Sequence, residues 1–257
     1  KGCWRILPAG HAGMSEIPVR LGLQQRVLPI YRVPFFETLA AACLNGLSLC
    51  AGQPRPSESI EPAAQLTQAR LFRARNLHLL GGSAYLCWQA GLISWLRIWQ
   101  PQALIMEANP RYINTRLAVR WMHARQRPVI GWGLGVPAAR SGFLAGSRSR
   151  FLMSFDALIA YSAQGAREYA STGFDAQRIF VAPNAVATRP AAPPPARPAV
   201  KPSQKLTVLS VGRLQARKRI DLLIHACARL PQELQPELLI VGDGPERSLL
   251  EKLAELE

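Results

Sequence analysis

Two stretches of the sequence carry side chains suited to holding an anion. In Val211-Gly212-Arg213-Leu214-Gln215-Ala216-Arg217-Lys218, Gly212 permits a close turn, and Arg213 and Lys218 can project from one loop. A guanidinium is a planar fork of donors and an ammonium a point charge, a pair suited to a diphosphate. Solvated surface cations are the competing reading. Further on, Gly242-Asp243-Gly244-Pro245-Glu246 places small residues and backbone amides where a helix opens, so an anion can approach. A tight turn explains Gly242 and Gly244 equally well. A third group, Glu107, Asn109 and Arg111, offers a carboxylate, an amide and a guanidinium around one turn. Those three suit a substrate cleft, against ordinary turn and helix-cap roles.

Other chemistries are disfavoured by spacing. Gly131-Trp132-Gly133-Leu134-Gly135 suggests a dinucleotide loop, but its third glycine comes one residue early for G-x-G-x-x-G. Asp156, at about the right distance for a ribose contact, starts a strand instead of ending one. His11, His78, His123 and His225 are far apart, and Cys3, Cys43, Cys50, Cys87 and Cys227 form no C-x-x-C pair, so no metal site is expected. The cysteines read as buried thiols in a reducing compartment.

The elements that must position these groups alternate. Strands are expected at Arg26–Tyr31 (weakened by Pro29), Leu47–Cys50, Asn76–Leu80, Ala103–Glu107, Val129–Trp132, Asp156–Tyr161 and Arg178–Ala182. Helices are expected at Phe35–Leu44, Tyr85–Trp99 and Tyr112–Arg125, and from an N-cap at Ser162 to Ser171. Residues 188–204 hold six prolines, a semi-extended linker. Beyond it, strands at Lys205–Val211 and Leu238–Val241 alternate with helices at Arg219–Leu230 and after Pro245. Repeated β-α units imply parallel sheets covered on both faces. A second sheet of only two strands buries its faces poorly, so the second domain reads as incomplete. The expected division is 14–187, a linker at 188–204, and 205–257. The start at Lys1, with Met14 following, and the uncapped helical pattern at Glu257 suggest a fragment.

The 257 residues are 49% hydrophobic and 18% charged, which excludes global disorder. No apolar run reaches the ~18 residues of a membrane span, and no secretory leader is visible, so a cytoplasmic protein is expected. The net charge of +15 is uneven. Residues 1–154 carry 18 basic and 5 acidic side chains, giving +13; residues 206–257 sum to −1. An anionic partner for the first half follows. Arg116, Arg120 and Arg127, with Arg111 before them, lie near one side of an expected helix that buries Ile113, Leu117 and Trp121. This is either a solvated face or a surface for anionic lipid; nucleic acid is disfavoured by the low aromatic content and missing motifs.

The stretch Val208-Leu209-Ser210-Val211-Gly212-Arg213-Leu214…Lys218, then Asp221-Leu222-Leu223, then Leu239-Ile240-Val241-Gly242-Asp243-Gly244-Pro245-Glu246, resembles the start of the C-terminal domain in GT-B glycosyltransferases of family 4 (glycosyl transferase group 1 type). Ala157–Ser162, followed by Gly173-Phe174-Asp175…Arg178 to Val186, is similar to the end of that family's N-terminal domain. The resemblance implies an α/β, GT-B-like fold of two Rossmann-like parallel-sheet domains, the second incomplete. It implies a retaining transfer of sugar from a nucleotide diphosphate sugar to an acceptor, a lipid-linked or membrane-surface glycan being the expectation. Gly212, Arg213 and Lys218 would neutralise the donor diphosphate, with Gly242 and Gly244 in a donor-side loop. No cofactor and no metal would be required. Three departures stand out. The family's E-x7-E motif is absent. Arg32-Val33-Pro34-Phe35-Phe36-Glu37 replaces a glycine pair after the first strand. The turns at 107–111 and 131–135 lack the histidine that many members carry. The fragment is expected to be inactive alone. The competing readings are a nucleotide-sugar epimerase on the same architecture and a non-catalytic binding protein with a degenerate cleft. Residence on the inner face of the membrane is the expectation that follows from the basic N-terminal half.

Overall fold

The computed structural model describes residues 16–58, 60–136, 143–185, 192–194, 196 and 206–257. The chain divides into two compact units, residues 1–189 and 190–257. Most of the expected linker 188–204, and also Met14 and Cys3, lie outside the described residues.

The first unit contains β1 (Leu21–Val27), α1 (Val33–Ala42), β2 (Leu47–Gly52), β3 (Arg70–Arg73), β4 (Arg75–Leu79), β5 (Leu86–Ala90), α2 (Leu92–Trp99), β6 (Ala103–Glu107), α3 (Thr115–His123), β7 (Val129–Gly133), α4 (Phe143–Leu152), β8 (Ala157–Ala160), α5 (Ala163–Ser171) and β9 (Ile179–Val181). Seven strands form one sheet in the order β3-β2-β1-β6-β7-β8-β9, every neighbouring pair parallel. Alternate residues serve opposite faces: Leu104 and Met106 join a core with Trp95, Val119, Met122, Phe151, Leu158 and Tyr169, while Ala103 and Ile105 pack on a second core of Leu23, Phe36, Leu49 and Trp132. Both faces are therefore covered, as a parallel sheet requires. Two indoles tie helix to sheet: Trp95 Nε1 donates to Ser48 Oγ (2.9 Å) and Trp99 Nε1 to the Leu21 carbonyl (2.9 Å).

Several sequence expectations are corrected. The first strand lies at Leu21–Val27, not Arg26–Tyr31; Pro29 has no N–H for the ladder and makes only an isolated bridge to Pro62 before a 3-10 turn at Ile30–Arg32. Gln24 and Gln25 hide this strand from a pattern search, yet both are buried because Gln24 Nε2 donates to Gln89 Oε1 (3.0 Å) and Gln25 Oε1 accepts from Arg32 Nη1 (2.9 Å). The expected helix Tyr85–Trp99 is instead β5 followed by α2. Gly91, at φ +95°, separates the two, and β5 pairs antiparallel with β4 in a separate two-stranded ribbon. Strand β3 and helix α4 were not expected from the sequence. Helix α3 is shorter than expected and turns Ala118, Val119 and Met122 inward, whereas Leu117 is 41% exposed. Ser162 caps α5 as anticipated, its Oγ accepting from the Gly165 N–H (3.0 Å).

The second unit contains β10 (Thr207–Val211), α6 (Ile220–Ala228), β11 (Glu237–Val241) and α7 (Arg247–Leu256). The two strands pair parallel, Thr207 opposite Glu237 and Val211 opposite Val241. Leu214, Ile224 and Leu250 form the buried core, with Ile220, Leu238, Ile240 and Leu253 against it. The opposite face of the sheet shows Leu209, Val211, Leu239 and Val241 to solvent.

Candidate functional site

In the seven-stranded sheet the chain runs outward from β1 to β3, then returns to place β6 beside β1 and proceeds the other way. Such a reversal leaves a crevice beyond the C-terminal ends of the two inner strands. An open pocket of about 660 Å³ lies there. Its walls come from the C-terminal ends of β6 (Glu107) and β7 (Trp132, Gly133) and from the turns after β1 (Tyr31, Arg32), β6 (Asn109, Arg111) and β8 (Tyr161). The structure thus brings the expected Glu107, Asn109 and Arg111 together in one pocket.

Each of the three has a distinct setting. Glu107 Oε2 accepts from the Arg26 N–H (2.9 Å), and the Glu107 N–H donates to Gln24 Oε1 (3.2 Å). Burial pushes the Glu107 carboxyl above the usual carboxylate range, outweighing the Arg26 hydrogen bond and the charges of Arg26 and Arg32. Asn109 is a turn residue: its Oδ1 accepts from the Arg111 N–H (3.1 Å) and its carbonyl from the Tyr112 N–H (3.1 Å). Arg111 is exposed at the rim. Arg111 therefore places an exposed cation at the pocket rim, while Asn109 shapes the turn that carries it.

Arg32 is the residue that sequence reasoning missed as a site candidate. It is 5% exposed, and its guanidinium lies 4.8 Å from the Trp132 ring and 5.0 Å from Phe36, with Nη1 on Gln25. Among the described residues Arg32 Nε and Trp132 Nε1 find no hydrogen-bond partner. Among the described residues no carboxylate lies within ion-pair distance of Arg32. Burial raises the Tyr161 phenol, partly countered by the nearby Arg32 charge, and raises the Tyr169 phenol to about 12. A buried guanidinium, a half-buried carboxyl with a raised pKa and phenols in one wall can hold hydroxyls and anionic groups of a polar ligand. The only sequence signal for Arg32 was its place at the head of Arg32-Val33-Pro34-Phe35-Phe36-Glu37, the stretch that stands where the resembled family carries a glycine pair.

In the second unit the candidates lie on the two loops beyond β10 and β11. The loops are laced together: Gly212 N–H donates to the Val241 carbonyl (2.9 Å), Leu214 N–H to Asp243 (2.9 Å) and Glu246 N–H to Leu214 (3.2 Å). The three glycines separate in role. A Cβ on Gly242 would stand 1.9 Å from the Gly212 oxygen, and one on Gly244 2.2 Å from the Leu214 oxygen, so packing of backbone on backbone demands both. At Gly212 a Cβ would meet nothing within 4 Å, leaving open space above the turn. Arg213 follows directly, and Lys218 closes a 3-10 turn at Ala216–Lys218 with its side chain exposed. No cluster of metal-ligating side chains exists among the described residues, and none of their helices is long and apolar enough to cross a membrane. Asp156 does not serve a ribose: its Oδ2 accepts from the Val129 N–H (2.7 Å) and pairs with His123 Nε2 (2.9 Å). Cys43, Cys50 and Cys87 are buried free thiols.

The described architecture matches solved structures over both units. A lipopolysaccharide outer core galactosyltransferase, WaaB, in its apo form aligns with TM-score 0.57 at 16% identity, over 92% of this chain and 64% of that one. HepE (Alr3699) of Anabaena in complex with UDP and glucose aligns with TM-score 0.53 at 12% identity, over 92% of this chain and 65% of that one. HepE with UDP-glucose gives 0.53 at 13%, over 91% and 64%. The fold is GT-B-like. This chain spans about two-thirds or slightly less of the length of those structures. The family of glycosyl transferases group 1 matches residues 196–257, the span that holds the Gly212–Lys218 and Gly242–Glu246 loops. No curated protein matches the sequence.

Proposed function

We propose that the protein is a glycosyltransferase of the family-4 kind that moves a sugar, with retention, from a nucleotide diphosphate sugar to an acceptor. One observation carries this reading: the group 1 glycosyltransferase match falls on the unit whose strand-end loops hold Gly212, Arg213 and Lys218. In that role the two cations neutralise the diphosphate as it leaves, an electrostatic contribution that a guanidinium and an ammonium supply without a metal. HepE has been solved with UDP and with UDP-glucose, which makes a uridine diphosphate sugar the first donor to test. The strand-end pocket of the first unit, with Glu107, Arg111 and Arg32, receives the acceptor. A raised carboxyl at Glu107 can hydrogen-bond an acceptor hydroxyl, and the cationic rim suits a glycan attached to an anionic carrier at the inner face of a membrane.

Calorimetric titration with UDP tests the donor half. Binding by the parent chain and a loss of about tenfold or more in Arg213→Ala/Lys218→Ala is the expected outcome. Equal affinity in parent and variant would remove both residues from the site.

A further inference from the structure

A second pocket, about 370 Å³, lies between α3 and α4 and shares no lining residue with the strand-end pocket. Arg116, Arg120 and His123 come from α3, and Ser147, Arg150 and Phe151 from α4, with Val119 and Ser154 completing the wall. The sequence suggested a basic stripe of Arg116, Arg120 and Arg127 along one helix. The structure redraws it. Arg127 turns away, its Nη1 donating to Gln100 Oε1 (3.0 Å) and the Pro101 carbonyl (3.1 Å), while Arg150 enters from a helix the sequence did not reveal.

The charge here is not cancelled. Among the described residues none of Arg116, Arg120 and Arg150 forms an ion pair. One carboxylate, Asp156, stands behind the lining residue His123 and accepts from it and from the Val129 N–H, and against that single acid the three guanidiniums remain in excess. Arg150 Nε makes only a long bond (3.4 Å) to the Gly146 carbonyl within its own helix, and the Arg116 guanidinium lies 5.2 Å over the Phe151 ring, held across the pocket. Like charges repel, so gathering three guanidiniums around one concavity costs energy that an anion would offset. A carboxylate presents two oxygens and satisfies one fork; a phosphate presents three or more and can engage several. Phe151 and Val119 back the pocket but are themselves buried, at 2% and 4% exposure, so the groove presents its cations and not an apolar surface.

We propose that this groove is a second anion site, which holds a phosphate group on Arg116, Arg120 and Arg150. It shares no residue with the Gly212–Lys218 loop or with the acceptor pocket. A soluble phosphate ester and a lipid headgroup share this chemistry.

The full chain is titrated with phenyl phosphate and with inorganic phosphate, following backbone amide shifts, and is sedimented with phosphatidylcholine vesicles with and without phosphatidic acid. Phenyl phosphate and inorganic phosphate are both expected to shift the amides of Ser147, Arg150, Phe151 and Ser154. Arg120→Gln/Arg150→Gln should weaken that binding roughly tenfold or more, whereas Arg213→Ala/Lys218→Ala should leave it intact. Sedimentation that requires phosphatidic acid and is lost in the Arg120/Arg150 variant assigns the site to a headgroup; loss of phenyl phosphate binding alone assigns it to a soluble ester. Both substituted residues are exposed, so the variant is expected to keep the parent's far-ultraviolet circular dichroism. Parent-like binding of phenyl phosphate and of vesicles by that folded variant would overturn the proposal.

Discussion

Glu107 is held between opposing influences. Burial favours its neutral acid; the Arg26 N–H and the charges of Arg26 and Arg32 favour the anion, and burial prevails. A carboxyl whose folded pKa is raised binds its proton more tightly in the native state. Its favourable contribution is therefore complete below the ordinary carboxylate range and is lost as pH rises through the raised value. Glu107→Gln removes this dependence and keeps an oxygen to accept from Arg26. Its urea midpoint should gain on the parent's as pH rises from about 4 to 8; a constant difference across that series would show that burial does not control the group. The glycines make a second contrast. Gly242→Ala must displace the Gly212 carbonyl and should destabilise the second unit by about 2 kcal/mol or more, while Gly212→Ala meets open space and should fold like the parent. Equal losses in the two variants would contradict the packing role. The sequence identified all three glycines as turn residues but could not rank them, because the atom each must avoid belongs to the neighbouring loop. It also located Glu107, Asn109 and Arg111, since all follow one apolar strand, and passed over Arg32, whose significance depends on Trp132, a hundred residues later, lying against it.

At the scale of elements, local pattern and tertiary pairing disagree most at 85–99. The apolar run reads as one helix, yet its first part pairs with β4 and only the part after Gly91 is helical. An apolar run of this length is compatible with either state, and the hydrogen-bonding partner decides. The β10–β11 pair shows the converse. Its alternation of exposed and half-buried residues follows from having helices on one side, and it leaves Leu209, Val211, Leu239 and Val241 uncovered. The chain is expected to bind a hydrophobic fluorophore such as ANS, and Leu209→Lys/Leu239→Lys should abolish most of that emission while circular dichroism stays unchanged. Undiminished emission in the variant would place the apolar surface elsewhere.

At the scale of the molecule, the two units have cores of very different size: two clusters cover both faces of the seven-stranded sheet, whereas three buried side chains anchor the second unit. Residues 190–257 contain no tryptophan, and the described tryptophans, Trp88, Trp95, Trp99, Trp121 and Trp132, belong to the first unit. On urea titration, circular dichroism should lose part of its signal before tryptophan fluorescence changes, as the smaller core yields first. Coincident curves would show that the units unfold as one. What the sequence by itself determined is the alternation of strands and helices, the uneven charge and the loops that carry Gly212, Arg213 and Lys218, because periodicity, composition and turn residues act over a few neighbours. Only the tertiary structure decided the strand order, and with it the pocket at the β1–β6 reversal and the groove of Arg116, Arg120 and Arg150. Those sites exist because parallel pairing and helix packing join residues distant along the chain, and no local pattern records which distant partner wins.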